Sequence, residues 1–202
     1  MQIQDQPMSS ATRALLAKQL TIARAVALQF PTVAAAQAAH FMQAGRFAPG
    51  AGAHFINTAN FATDILPDGQ VNPFSPLGWI YDGTSPTSQV VGLMYASNTK
   101  PSIGFAGPND HWHQHFNLCT QMVGTRIIVP FPADTDITKA MCNSVHGQFA
   151  TQTVWMVHAW VVPGWESPLG VFSHINPDLR CANYTFNTNP QGFCQGPGDA
   201  NQ

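Results

Sequence analysis

The chain predicts an α+β fold that is mainly β: an antiparallel sheet or small barrel with two N-terminal helices packed on it. Three observations lead there. Apolar residues recur at helical spacing over the first 44 positions, and short β-rich runs punctuated by Gly, Pro, Asn and Asp follow from residue 49 onward. All four cysteines, Cys119, Cys142, Cys181 and Cys194, fall in the second half, where disulfides can brace a loop-rich sheet.

Residues 9–30 open on a Ser/Thr capping region and carry Leu15, Leu16, Gln19, Leu20, Ala23, Val26 and Ala27 at helical spacing. Pro31 closes that helix. Thr32 caps a second, Ala-rich helix over 32–44, ended by Gly45, with Val33, Ala36, Ala39 and His40 along one stripe. The candidate strands are 53–57, 78–82, 89–96, 111–118, 125–129, 151–162 and a short one at 171–173. Asp134-Thr-Asp136 offers a cap for a further helix reaching His146 and placing Cys142 on it. In domain terms, residues 1–8 are expected to be a flexible N-terminus. Residues 9–182 form one β-rich metal-binding domain carrying the helices, and 183–202 a loop-like tail containing the sequon Asn183-Tyr-Thr185.

The chain has 202 residues, 45% of them hydrophobic, which is enough to bury one sizeable core. Charged residues make up 9%, against roughly 25% in an ordinary soluble protein. A net charge of -2 with scattered Lys and Arg gives no basic footprint, so nucleic acid and membrane surfaces are not expected partners. No run of about 18 apolar residues suggests a membrane span. The start Met1-Gln-Ile-Gln-Asp-Gln-Pro7 lacks a signal-peptide pattern, as a mature secreted form would too. No Cys-x-x-Cys spacing supports a thiolate metal site, and the favoured pairings are Cys119 with Cys142 and Cys181 with Cys194. Disulfides place the protein in an oxidising compartment, secreted or periplasmic.

The chemistry-bearing residues are the histidines. In a strand running through His111-Trp-His-Gln-His115, alternation puts His111, His113 and His115 on one face. Neighbours at that spacing lie about 7 Å apart, so two can meet a metal held about 2.0–2.1 Å from each nitrogen, and another element must supply a further ligand. His158, on an apolar strand face with Val154, Met156 and Trp160, is the best candidate for it. His54, after the Gly50-Ala-Gly52 turn, is suited to be a fourth ligand, and His174 is a further contender. Glu166, the chain's sole glutamate, could act as ligand or general base, and Asp110 could orient His111 or His113 by accepting an imidazole N–H; either carboxylate could assist proton transfer as a catalytic residue. His40 and His146 read as structural residues at helices. Trp112 and Trp165 are candidates to wall a substrate cleft.

The stretch Gly107-Pro-Asn-Asp-His-Trp-His113-Gln-His115 resembles the first cupin motif, which would make His113 and His115 metal ligands on a barrel strand. Cys119 and Thr120 stand where that motif carries its glutamate, and its second motif is echoed by Pro168-Leu-Gly170 and His174. His113-Gln-His115 with His158-Ala-Trp160 also resembles the α-carbonic-anhydrase arrangement of two zinc ligands on one strand and a third on its neighbour. Phe30-Pro-Thr-Val, Gly50-Ala-Gly-Ala-His54-Phe, Val91-Gly-Leu-Met-Tyr95 and His158-Ala-Trp with Gly170-Val-Phe and Asn176-Pro together look similar to uncharacterised secreted bacterial proteins, a resemblance that implies secretion and no activity.

The expected function is therefore a secreted metalloenzyme with a mononuclear histidine site. Zinc is favoured as the cofactor, with copper, iron or manganese as alternatives; hydrolysis, hydration or oxidation is the chemistry, on a small molecule or polysaccharide. The alternatives are a metal-binding or storage protein with a closed coordination shell, and a carbohydrate-binding β-protein. No Gly-x-Ser-x-Gly elbow is present to support a nucleophilic serine.

Overall fold

Ser9 caps the first helix, α1 (Ser10–Ala27), by accepting the Thr12 N–H on its hydroxyl, and the helix buries Leu16, Gln19, Ala23, Val26 and Ala27 as one stripe. The computed structural model describes residues 5–57, 59, 63–124, 126–131, 136–182 and 194. Residues 5–8, expected to be flexible, are tied down: Gln6 and Asn109 exchange two hydrogen bonds, at 2.8 and 3.0 Å.

Thr32 caps α2 (Val33–Ala38) as expected, but the helix stops six residues early. His40 adopts φ 62°, the left-handed conformation that ends helices, and the Phe41 N–H bonds back to the Ala36 carbonyl. Phe41 is thereby delivered into an aromatic cluster, 4.7 Å from Phe30 and 4.8 Å from Trp79 between ring centroids. The chain then runs on as strand β1 (Met42–Ala48), where a continuing helix was expected.

Seven more strands follow: β2 (Gly52–Ile56), β3 (Gly78–Tyr81), β4 (Val90–Ser97), β5 (Phe116–Val123), β6 (Arg126–Ile128), β7 (Gln148–Gln152) and β8 (Trp155–Ala159). A third helix, α3 (Lys139–Ser144), carries Cys142 and is capped by Thr138. The Asp134 end of the anticipated cap lies outside the described residues, as does the tail 183–202 with its sequon, apart from Cys194. No strand forms at 171–173, a turn region in the structure, and the single long strand expected at 151–162 is divided into β7 and β8.

The sheet order is β7-β5-β6-β1-β2-β3-β4-β8. It is mixed where a purely antiparallel sheet was expected, because β6 pairs with β1 in parallel, Gln43 opposite Arg126 and Ala44 opposite Ile127. The sheet also curls into a half-barrel. β7 and β8 sit at opposite ends of the order, yet only Thr153 and Val154 separate them in the chain. At that junction the Thr153 N–H bonds to the His115 carbonyl at 2.9 Å, and Met156 and His113 exchange bonds of 2.8 and 2.9 Å. One end of the sheet is thus drawn round to the segment leading into the other.

The curl separates two environments. On the convex face Phe55, Trp79, Tyr81, Leu93, Tyr95 and Val157 pack into the main core beneath α1, with the Trp79 indole donating to the Val26 carbonyl and the Tyr81 hydroxyl to the Phe30 carbonyl. On the concave face the inward residues of β2, β4 and β8, namely His54, Met94 and Met156 with His158, line a trough. Trp160 packs over Gly92 of β4. A Cβ at Gly92 would lie 2.9 Å from the Trp160 ring and 3.0 Å from the Ala159 carbonyl, neither of which can yield cheaply. Gly92→Ala is accordingly expected to destabilise the fold by about 1–3 kcal/mol, the usual cost of overpacking, and a thermal melt unchanged from the parent would contradict this packing.

Both cysteine pairings are those favoured from sequence, Cys119–Cys142 and Cys181–Cys194, and no cysteine is free among the described residues. They fit an oxidising, extracellular or periplasmic setting. No helix among the described residues is long and apolar enough to cross a membrane.

Candidate metal centre

The curl brings five histidines from four parts of the chain into one cluster. His113 and His115 lie in the extended segment that precedes β5, two residues apart on one side, with ring centroids 5.5 Å apart. His174 comes from the loop after β8 and stacks near His113, 4.0 Å between centroids. One nitrogen from each of His113, His115 and His174 lies within 4.8 Å of the others, so the three form a group that could hold a metal ion. His158, on β8, and His54, on β2, adjoin them: the His158 ring lies 5.5 Å from His113, and the two Nε2 atoms of His54 and His158 approach to 3.4 Å.

Backbone carbonyls set the tautomers. The His158 Nδ1 is 2.8 Å from the His174 carbonyl and the His113 Nδ1 is 3.2 Å from the His111 carbonyl; a carbonyl can only accept, so each Nδ1 carries the proton. Each Nε2 is then the nitrogen with a lone pair, the form in which imidazole binds a metal. Burial pushes the His54 imidazolium pKa down to about 4, assisted by the neighbouring His115 and His174, and drives His158 well below the ordinary histidine range, assisted by His54 and His113. Both are therefore neutral at physiological pH, as metal ligation demands.

The loop that carries His174 is held on all sides. The Trp160 indole donates to the Ser173 carbonyl at 2.8 Å, the Ser173 hydroxyl bonds Ser167 at 2.8 Å, and the Asn176 amide reaches the Trp165 carbonyl at 2.8 Å. Asn176 N–H also bonds the Gly50 carbonyl, which links this loop to the turn entering β2 and hence to His54. These bonds fix the His174 loop and the turn before β2 relative to one another.

Above it lies a cavity of about 480 Å³ on the concave face, with His54, His115, His158 and His174 on its wall. The rest of the wall is largely apolar, with Ile56, Leu77, Met94, Leu118, Ile127 and Phe131 among its members, and Arg46 is its one permanently charged side chain among the described residues. A second depression of about 430 Å³, beside His40, Phe41 and Arg126, contains no other histidine.

Other residues singled out from sequence lie elsewhere. His111 points away to the N-terminal segment, its Nε2 3.5 Å from Asp5, because pairing along β5 begins only at Phe116 and strict strand alternation does not extend back to it. Asp110 orients neither His111 nor His113 by a hydrogen bond: its Oδ2 accepts from the Trp112 indole at 2.6 Å and from the Phe105 N–H at 2.9 Å. Glu166 is exposed, accepts the Gly164 N–H at 2.7 Å to close a turn, and is not on the cavity wall. Trp112 is buried in the main core and Trp165 packs against it, so neither walls the cleft. His40 and His146 are exposed and end α2 and α3 with positive φ.

Burial raises the Asp110 pKa to about 6, against hydrogen bonds and His111 that act to lower it. A raised native pKa means the folded protein holds a proton that the unfolded chain releases. This group's contribution to stability is thus full below about pH 4 and is lost as pH rises through about 6. Asp110→Ala would leave the Trp112 and Phe105 N–H groups without their acceptor, at about 1–3 kcal/mol each. Urea denaturation should show that loss, with Asp110→Asn recovering part of it; an Ala variant as stable as the parent would contradict the structural role.

The chain matches no family model, no curated protein and no solved structure, so the geometry alone bears on function.

Proposed function

We propose that this protein is a metalloenzyme of an oxidising, extracytoplasmic compartment, whose histidine-ligated transition metal acts on a small, largely apolar molecule. The observation that carries the reading is the grouping of His113, His115 and His174, one nitrogen of each within 4.8 Å of the others, with His115 and His174 on the wall of a largely apolar cavity. Three imidazole ligands and an open side are the ligand pattern of catalytic zinc, and zinc is the metal we favour. Such an ion would bring the pKa of a bound water to about 7. The cleft argues against a closed storage site, because His174 is exposed and the cavity reaches the cluster. Its apolar wall suits an uncharged, compact substrate better than a polysaccharide, which needs many polar partners.

In this arrangement the protein's own groups have distinct tasks. His113, His115 and His174 hold the ion, the carbonyls of His111 and His174 orient His113 and His158, and the apolar wall excludes water around the substrate. Elemental analysis of tag-free protein should find a first-row metal bound, and zinc-loaded protein should hydrolyse small uncharged aryl esters faster than chelator-treated protein. Protein that retains no metal and takes none up on reconstitution would overturn the reading.

A further inference from the structure

Five clustered imidazoles are more than one ion uses. A catalytic zinc takes three protein ligands and a structural one four, so after His113, His115 and His174 are assigned, His54 and His158 are left over.

Their placement is not a by-product of neighbouring strands. Strands β3 and β4 stand between β2 and β8, and a flat sheet would hold His54 and His158 about 14 Å apart, three strand spacings. Instead the curl brings their Nε2 atoms to 3.4 Å. With no ion between them the two rings share a hydrogen bond, the His54 Nε2–H donating to the His158 Nε2 lone pair, and a bound metal would take that proton's place. The separation matches the distance between two nitrogens on one tetrahedral ion, about 3.3 Å for metal–nitrogen bonds of about 2.05 Å. His158 is already fixed with its Nδ1 on the His174 carbonyl, so its Nε2 lone pair faces His54.

We propose that His54 and His158 hold a second transition-metal ion beside the one held by His113, His115 and His174, making a two-metal centre. The proposal rests on the metal reading of the cluster given above. The two groups are in contact: the His158 ring centroid lies 5.5 Å from His113 and 5.9 Å from His174. His158 Nδ1 is also bonded to the backbone of a ligand of the first ion, so the two sites are built as one unit. Both His54 and His158 face the cavity, where water or a substrate atom can complete the second ion's coordination and reach the first. No carboxylate belongs to the histidine group among the described residues, so the centre is all-imidazole. That donor set favours zinc or copper over the oxygen-seeking magnesium, calcium or manganese.

The test uses the full chain, stripped with chelator and titrated with zinc alone by equilibrium dialysis, with crystals soaked in zinc for anomalous diffraction. The expected result is two zinc ions per chain and two anomalous peaks, one at His113, His115 and His174 and one between His54 and His158. His54→Gln should lose the second peak and one equivalent of zinc while keeping the first. If the variant fails to fold, the stoichiometry and peaks of the parent decide. A single zinc at the three-histidine group would overturn the second site and leave the single-metal reading standing. No zinc at all would overturn both.

Discussion

His115→Ala is expected to weaken zinc binding at the three-histidine group by at least about 100-fold, the upper cost of losing merely a supporting hydrogen bond in metal sites. His115 supplies one of three nitrogens, all within 4.8 Å of each other, and its backbone carbonyl is already engaged with the Thr153 N–H. Substitution should therefore remove a ligand and leave the strand junction intact. His113→Ala should have a similar effect. His146→Ala, at an exposed helix end that is neither in the histidine group nor on the cavity wall, should leave the affinity unchanged. The comparison is made by competition against a chromophoric zinc chelator, and full affinity in both His113→Ala and His115→Ala would remove these residues from the site.

The second large effect concerns the Cys119–Cys142 disulfide, which joins β5 to α3 across 23 residues. Closing a loop of that length restricts the unfolded chain by about 3 kcal/mol. The bond also organises a small satellite core in which Cys119, Ile137 and Cys142 are buried against Phe131, Val145 and Phe149. Phe131 reappears on the wall of the histidine-lined cavity, as does Leu118 of β5. Replacing both cysteines by serine should lower stability by about 3 kcal/mol in urea denaturation and open the cavity wall. A double variant as stable as the parent would show that the satellite core needs no staple.

Much of this was legible because local chemistry and tertiary structure agree. Ser9 and Thr32 cap helices where capping residues precede helical periodicity, and the alternating runs at β2, β3 and β4 form strands close to the expected bounds. The pairing of both disulfides could be read from spacing and composition. Strand alternation marked His113, His115 and His158, the Gly50-Ala-Gly52 turn marked His54, and the structure brings all four into the cluster.

The departures have one cause in common, which is that long-range contacts overrode the local pattern. The Ala-rich segment after Thr32 favours helix, yet burying Phe41 against Phe30 and Trp79 turns the chain into β1. The parallel pairing of β1 with β6 joins segments more than 80 residues apart, and no local signal encodes it. Residues 148–159 divide into β7 and β8 because each half pairs with a different end of the curled sheet. His174 has no periodicity to mark it, since a loop held by Trp160, Ser167 and Asn176 delivers it. Rarity drew attention to Glu166, but a solitary carboxylate closing a turn carries no information about chemistry.

X-ray absorption at the zinc edge of the reconstituted protein tests most directly whether the histidine cluster holds a metal. The expected spectrum has a shell of nitrogen and oxygen atoms alone at about 2.0–2.1 Å, with the outer scattering of several imidazole rings. A sulfur shell at about 2.3 Å, or coordination by oxygen without imidazole, would place the metal elsewhere and contradict metal binding by the histidines.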